Sequence, residues 1–463
     1  MGEREAMRIF LISSNIASTP YSVYPLGLSM VASSLKTAGH DVKQFDFLAS
    51  GRSLEDLVKE VKAFNPGIVG ISIRNIDNVN FLNEQRYIEA VKEIVEKLRS
   101  VTTAKIILGG SGFSIMPEAI LDKIGADYGI VGEGEQLILE FVKKIESNNP
   151  PKDNILRSFP CLRGKEIPSA CYDERIMQFY LKSGNVASVQ TKRGCIHKCI
   201  YCSYPVLEGD KIRGREAKSV VDDIEGLINK HNAKYIFFTD SVFNDDSGNY
   251  LKVLEEMRSR GINIPWTAFF KPAKIDDNIL LLMQETGLKA AEIGADAPSD
   301  TTLRNIGKSF LFKDIIECNE CFAKHNIATA HYFMFGSPGE TKDTVLEGIN
   351  NIRSLQKTVS FIFMGIRILP DTPLAKIAER DGLIKKGQDL LEPVYYIAPD
   401  LDRKWLEEAL TEGFKGLRNC VFPPDALDSS LAFLHKLGYS GSLWDMLIPG
   451  NAKRNRKRRD VKE

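Results

Sequence analysis

Residues 191–205 read TKRGCIHKCIYCSYP. Three of the chain's eight cysteines, Cys195, Cys199 and Cys202, fall here with the spacing C-x3-C-x2-C. In a reducing compartment such crowding points to a metal or catalytic site rather than to disulfides. Three thiolates can hold three corners of a [4Fe–4S] cube, which normally takes four, and leave the last iron open to a small molecule. Zinc is the alternative. Cys195, His197, Cys199 and Cys202 could supply Cys3His, and Cys161 or Cys171 could contribute. A structural zinc site usually shows two paired C-x2-C knuckles, and only one pair is visible.

The cysteines follow a strand-like run, 187–190, that opens a βα series. Further strand-like runs are 235–239, 266–270, 290–295, 329–335 and 361–368. Helical patterns at 220–230, 250–260, 277–286, 312–325 and 342–356 lie between them. Six such units predict a partial TIM-like (β/α)6 barrel with its chemistry at the carboxyl ends of the strands. Upstream, strand-like runs at 7–14, 41–47, 67–73, 105–108 and 128–131 alternate with helical patterns at 26–37, 54–64, 87–100, 117–124 and 135–147. Five strands with crossover helices predict an α/β, doubly wound, Rossmann-like parallel sheet whose ligand sits beyond the strands' carboxyl ends. The expected organisation is a first domain over 1–147, a connector over 148–185 starting at Asn149-Pro150-Pro151, and the barrel over 186–388. A mainly helical region over 389–450 and a basic tail over 451–463 complete it.

The 463 residues are 43% apolar and 26% charged, an ordinary globular composition. Lys+Arg and Asp+Glu both total 61. A zero net charge argues against a general nucleic-acid binder, which needs excess positive charge. No apolar run approaches the roughly 18 residues of a membrane span. The start, MGEREAMRIFLISSN, lacks a secretory apolar region, so a cytoplasmic chain with reduced thiols is expected. The tail reads as disordered and solvated; contact with an anionic membrane is its alternative role.

The cysteine loop, with Tyr201 before its last cysteine and Arg193-Gly194 ahead of its first, resembles the radical S-adenosylmethionine (SAM) enzymes. In that family SAM chelates the open iron, and one electron from the cluster cleaves a carbon–sulfur bond to give a 5′-deoxyadenosyl radical. The resemblance continues down the barrel. YIFFTDSVFN (235–244) implies a SAM amine contact for Asp240, although the usual Gly-Gly-Glu is absent. EIGADAPSDTTLRNIGKSF (292–310) is similar to a stretch with glutamate where Asp296 stands. FGSPGET (335–341) matches the G-x-P-G-E-T turn of one branch and implies that Gly336 lies near SAM. ILPDTPLAKIAERDGLI (368–384) is similar to that branch's end-of-barrel segment. Helix capping is the alternative for Asp296, Ser299 and Thr341, and turn packing for Glu340.

Three turns of the first domain lie at the carboxyl edge of its sheet: Pro25-Leu26-Gly27-Leu28, Gly109-Gly110-Ser111-Gly112 and Gly132-Glu133-Gly134-Glu135. Glycines there let backbone approach a ligand closely. No G-x-G-x-x-G follows the first strand, so a dinucleotide site is excluded. Together the turns resemble the cobalamin-binding domain of B12-dependent radical SAM enzymes. The implied cobalamin contacts are Pro25, Leu26, Arg74, Asn75, Gly109, Gly110, Ser111, Gly132, Glu133 and Glu135. The D-x-H-x-x-G motif of other cobalamin domains is missing, and none of the six histidines falls between His40 and His197. His40 precedes the second strand, at the wrong edge. No domain histidine can therefore serve as the lower cobalt ligand in that arrangement. Arg74 is the first residue past the third strand. A cation below cobalt would oppose an added axial donor; pairing with Asp77 or with a phosphate of the nucleotide tail is the alternative.

The resemblance implies methylation of an unactivated carbon on a small molecule, lipid or natural-product precursor, through the [4Fe–4S] cluster, SAM and methylcobalamin. Cyclisation, ring contraction or oxidation with the same cofactors is a second reading, and a non-catalytic corrinoid-binding protein a third. An external electron donor of flavodoxin or ferredoxin type is implied. Cys318 and Cys321 have metal spacing on a helix or are core. Tyr332, Phe333 and Phe335 read as strand core, and Trp444 as packing or as part of a cap on the barrel mouth.

Overall fold

The computed structural model describes residues 6–19, 22–157 and 161–448. The basic tail lies outside them. Six strands form the first sheet: β1 (Arg8–Ser13), β2 (Asp41–Asp46), β3 (Ile68–Ser72), β4 (Lys105–Gly109), β5 (Tyr128–Val131) and β6 (Ile155–Arg157). All pair in parallel, in the order β2-β1-β3-β4-β5-β6. Continuous apolar runs dictate this arrangement. Ile9, Phe10, Leu11 and Ile12 are all buried, which needs helices on both faces. Leu26–Thr37 and Gly134–Glu146 cover one face through Leu28, Leu35, Ile138 and Phe141. Leu54–Phe64, Ile88–Arg99 and Pro117–Ile124 cover the other. Local signals set the helix ends: Ser53 accepts the Asp56 N–H to start Leu54–Phe64, and left-handed Asn65 ends it. Strand order reverses between β1 and β3, so a crevice opens at their carboxyl ends.

β6 is a departure from the sequence expectation, because it lies in the stretch assigned to the connector. Its three half-exposed residues carry no periodicity, and pairing with the open edge of β5 decides their conformation.

The second sheet begins with β7 (Val186–Val189). A short ribbon, β8 (Lys192–Arg193) with β9 (Arg213–Gly214), follows. Then come β10 (Tyr235–Phe238), β11 (Trp266–Phe270), β12 (Leu288–Asp296), β13 (Ala328–Phe335) and β14 (Thr358–Met364). A second ribbon joins β15 (Ile366–Arg367) to β16 (Tyr395–Tyr396), and β17 (Cys420–Val421) comes last. The sheet order is β17-β14-β13-β12-β11-β10-β7, parallel throughout. Helices lie between successive strands as in a partial barrel. The seventh strand, β17, comes from the region expected to be mainly helical; two residues are too few to show a period. The segment after Gly441 closes the barrel from the strands' amino ends. Trp444 and Ile448 pack there on Ala290, Ala330 and Val359. Trp444 is therefore packing, and does not cap the mouth. Cys318 is buried in the core and Cys321 packs against it.

Candidate active site

The carboxyl ends of both sheets face one cavity of about 720 Å³. Every residue expected to touch cobalamin lines it. Pro25 and Leu26 come from the first helix, and Arg74 and Asn75 from the end of β3. Gly109, Gly110 and Ser111 follow β4, and Gly132, Glu133 and Glu135 follow β5. Bare backbone forms part of the wall: a Cβ on Gly27 would meet nothing within 4 Å. At Gly110, φ is +95°, and a Cβ would come 2.6 Å from the Ile73 carbonyl oxygen, so the turn requires glycine. Ser111 Oγ donates to the Arg74 carbonyl at 2.7 Å and ties the β4 turn to the β3 exit. Asp77 pairs with Arg367 at 2.8 Å. A second hollow, about 810 Å³, lies against β6 beside Arg157 and holds none of the motif residues.

The barrel side of the cavity is the cysteine loop with Gln190, Arg193, Ser203, Tyr204, Leu207 and Glu208. Its shape has local causes. Gly194 has φ +91° and a Cβ would lie 2.0 Å from the Lys211 carbonyl oxygen. Its carbonyl accepts from Ser241 Oγ at 3.0 Å. The Cys195 N–H donates to Gly209 O at 3.1 Å, and the Ile200 N–H to Ile306 O at 3.1 Å. Cys195 is buried; Cys199 and Cys202 are half-buried. Among the described residues no group of three or more His, Cys, Asp or Glu closes tightly enough to hold a single metal ion. The three thiols nevertheless share one neighbourhood and sense one another's charge. Burial pushes the Cys202 thiol up to about 12. Burial also raises Cys199, but the Lys308 ammonium opposes it, donating to Cys199 Sγ at 3.1 Å.

Lys308 is the site residue that sequence reasoning missed, although it lies in the quoted 292–310 stretch. It also pairs with Asp296, whose Oδ2 accepts the Tyr201 hydroxyl at 2.7 Å. Tyr201 and Asp296, both expected near SAM, thus meet beside Cys199. Asp296 is not a helix cap; that place belongs to Ser299, which accepts the Thr302 N–H. Thr341 likewise caps Lys342–Ser354.

Two residues expected to contact SAM have polar groups engaged within the protein. Asp240 is fully buried, and its carboxylate accepts from the Thr191 N–H at 2.7 Å, Thr191 Oγ1 at 2.5 Å, the Lys192 N–H at 3.2 Å and Lys192 Nζ at 3.2 Å. It anchors the start of the cysteine loop instead of facing a ligand. The Gly336 N–H is taken by the buried Glu340 carboxylate, which also accepts the Ser337 N–H at 2.8 Å. Turn packing is therefore the role of Glu340.

Glu133 and Glu135 line the cavity, yet their carboxylates bind arginines of the barrel. Arg193 reaches Glu133 at 3.2 Å and Glu135 at 2.5 Å, and Arg213 reaches Glu133 at 2.8 Å. The Leu162 N–H donates to Glu133 at 2.6 Å. A second buried pair, Arg367–Asp77 at 2.8 Å, joins the loop after β3 to the end of the barrel.

Residues 12–142 match the family model of the B12 binding domain, and residues 189–352 that of the radical SAM superfamily. The chain belongs to the B12-binding-domain radical SAM enzymes. The radical SAM enzyme described here is 24% identical to a tryptophan 2-C-methyltransferase of Streptomyces laurentii, over 81% of this chain and 75% of that one. It is 25% identical to an uncharacterized methyltransferase of Pyrococcus horikoshii, over 74% and 77%. Its fold matches the radical SAM methyltransferase TsrM of Kitasatospora setae, solved with cobalamin and a [4Fe–4S] cluster bound. There the TM-score is 0.85, at 22% identity, over 98% of this chain and 100% of that one.

The residues present fit these groups. Three soft thiolate donors on one loop, backed by a cation, suit an iron–sulfur cluster. Bare glycine backbone along the first domain's cavity wall suits a large flat ligand. Among the described residues no helix is long and apolar enough to cross a membrane.

Proposed function

We propose that this enzyme transfers a methyl group from SAM, by way of cobalamin, to an unactivated carbon of a small molecule. The observation that carries the reading is the single cavity onto which both the cobalamin turns and the cysteine loop open. The tryptophan methyltransferase and TsrM among its relatives support the same chemistry. When bound, the cluster supplies an electron for cleaving SAM, and cobalamin carries the transferable methyl group.

The chain's own residues hold, orient and exclude water. Cys195, Cys199 and Cys202 hold the cluster. Lys308 keeps positive charge against Cys199 and fixes Asp296 and Tyr201, which orient SAM. Arg74, in the cavity wall at the end of β3, would place a cation beside bound cobalamin, and the domain supplies no histidine between His40 and His197. The glycine turns after β4 and β5 would let cobalamin approach the backbone closely. The ion pairs of Arg193 and Arg367 keep the two carboxyl edges facing each other, so substrate enters between them.

The test uses protein purified without oxygen from cells given iron and cobalamin. Iron, sulfide and corrin are quantified, then SAM, a reductant and candidate substrates are supplied. S-Adenosylhomocysteine and 5′-deoxyadenosine forming together with a methylated product support the reading. Deoxyadenosine without S-adenosylhomocysteine would favour cyclisation or oxidation and sink methyl transfer. Absence of any SAM consumption in fully loaded protein would sink catalysis itself.

A further inference from the structure

The cavity occupies the carboxyl ends of the barrel strands; the amino ends carry a surface of different character. The helix Asp428–Lys436 is held there. Its His435 ring lies against Gly184, two residues ahead of β7, where a Cβ would come 3.0 Å from it. The Gly441 N–H donates to Gly184 O at 3.0 Å, and Gly441 packs on Tyr235, the first residue of β10. One turn apart on this helix, Phe433 and Leu437 are 60% and 58% exposed. Side chains at i and i+4 share one helix face, so the two form a single apolar patch in contact with water. On its own such a pair is ordinary; its surroundings give it a direction.

Those surroundings are basic. No Asp or Glu occurs from Ser429 to Trp444. Exposed lysines stand at the amino ends of the strands: Lys234 directly before β10, Lys289 at the second position of β12 and Lys357 directly before β14. Lys182, two residues ahead of Gly184, and Lys436, on the helix itself, are exposed beside the apolar pair. Asp445 senses the charge of Lys289, and Glu285 pairs with Arg258 at 3.7 Å. Among the described residues Lys182, Lys234, Lys357 and Lys436 form no ion pair. The last described residue, Ile448, packs at this same end. From there the chain leads into residues 451–463, which hold seven Lys or Arg against two acids. Because Lys+Arg and Asp+Glu both total 61 over the whole chain, residues 1–450 are net acidic. The basic end is therefore a local concentration of charge.

We infer that the amino end of the barrel docks on an anionic lipid bilayer, with Phe433 and Leu437 entering the acyl boundary and the lysines and residues 451–463 meeting the headgroups. Stable peripheral attachment needs two signals, and an apolar insertion beside a basic cluster supplies both. Lysines near a negative leaflet add an attraction that salt screens. A nucleic acid would answer the charge but gives Phe433 and Leu437 no hydrocarbon to enter. The cavity lies at the other end of the strands, so attachment leaves it uncovered and does not depend on which reaction it runs.

The experiment sediments the full chain, loaded with cluster and cobalamin and kept free of oxygen, with lipid vesicles. Binding is expected to phosphatidylcholine vesicles containing about one-third phosphatidylserine, not to phosphatidylcholine alone, and is expected to weaken as salt rises. Phe433→Ser/Leu437→Ser should weaken it roughly tenfold, and Lys182→Gln/Lys436→Gln roughly tenfold as well. Removal of residues 451–463 should also weaken it. Iron and corrin content should hold in each variant, because none of these residues lines the cavity. Phe433→Trp gives a reading that does not depend on a loss: its emission, as a difference from the parent, should shift to the blue on the anionic vesicles. Equal binding to both kinds of vesicle, no blue shift, or binding that survives loss of the apolar pair or of residues 451–463 would each overturn the proposal. So would a dimer in sedimentation velocity that Phe433→Ser/Leu437→Ser dissociates, which would make the patch a contact between copies. Capture of poly(U) RNA by a chain that ignores the vesicles would assign the basic end to nucleic acid instead.

Discussion

Arg193 and Glu133 form a buried ion pair across the domain boundary, Nη1 to Oε1 3.2 Å, with side chains 7% and 4% exposed. Arg193 stands two residues ahead of Cys195, so the pair fixes the cysteine loop against the turn after β5. Removing one partner of a buried pair strands the other's charge, which typically costs about 3–5 kcal/mol. Arg193→Met should therefore lower stability by about 3 kcal/mol in urea unfolding and reduce iron retention. Arg193→Lys should rescue little, since a single ammonium cannot span Glu133 and Glu135 as the guanidinium fork does. An unfolding midpoint unchanged in Arg193→Met would show that the pair contributes nothing net.

Replacing Cys195, Cys199 or Cys202 by Ala should drop iron and sulfide from about four per chain to near zero and stop SAM consumption. Corrin binding should persist, because the glycine turns belong to the other sheet. Cys318→Ala, in the core, should leave iron content intact. Equal iron loss in Cys318→Ala would misplace the cluster.

Gly110→Ala combines a strained φ of +95° with a Cβ 2.6 Å from the Ile73 oxygen. The β4 turn must shift, at a cost on the order of 1–3 kcal/mol. Cobalamin affinity, followed by its visible absorption, should fall at least tenfold while iron content holds.

Lys308→Met removes the cation beside Cys199 and Asp296. A lost positive charge favours the oxidised cluster, so the midpoint potential should become more negative by on the order of 50 mV. Redox titration followed by electron paramagnetic resonance checks it, and no shift would remove Lys308 from the site.

Burial raises Glu292 and Glu340 to about 7 each. The folded state then keeps protons that the unfolded chain, with carboxyls near 4.3, has released. Stability from these groups is full below the unfolded value and is lost as pH rises through about 7. Glu292→Gln keeps an acceptor for the Tyr332 hydroxyl and removes the charge. It should raise the thermal midpoint at pH 8, by an amount on the order of 3 kcal/mol at most, and change it little at pH 5. A variant less stable than the parent at pH 8 would refute that account.

Much of this protein was legible in order along the chain. Apolar runs such as Ile9–Ile12 and helical periods such as Leu54–Phe64 gave the elements, because period and capping are set by neighbours in sequence. Short pieces at sheet edges were not legible. β6 and β17 have three and two residues, and only an open partner edge makes them strands. Among the site residues, Tyr201 and Asp296 were found, and the structure joins them. Asp240 and Gly336 were also picked out, but their polar groups are consumed by Thr191, Lys192 and Glu340. Motif position cannot distinguish a carboxylate that faces a ligand from one that ties a loop.

The sequence alone determined the chemistry available: three thiolates at x3-x2 spacing, glycine turns at one sheet edge and no histidine to bind cobalt from below. Those are properties of single residues and short spacings. Tertiary structure alone decided which charges meet. Arg193 finds Glu135 across 58 positions, Tyr201 finds Asp296 across 95, and Arg367 finds Asp77 across 290. Arg193–Glu135 and Arg367–Asp77 form because packing the two sheets edge to edge removes these groups from water, and a buried charge must then be paired; Tyr201–Asp296 forms where the cysteine loop folds over the end of β12. No local pattern records which distant partner will be there.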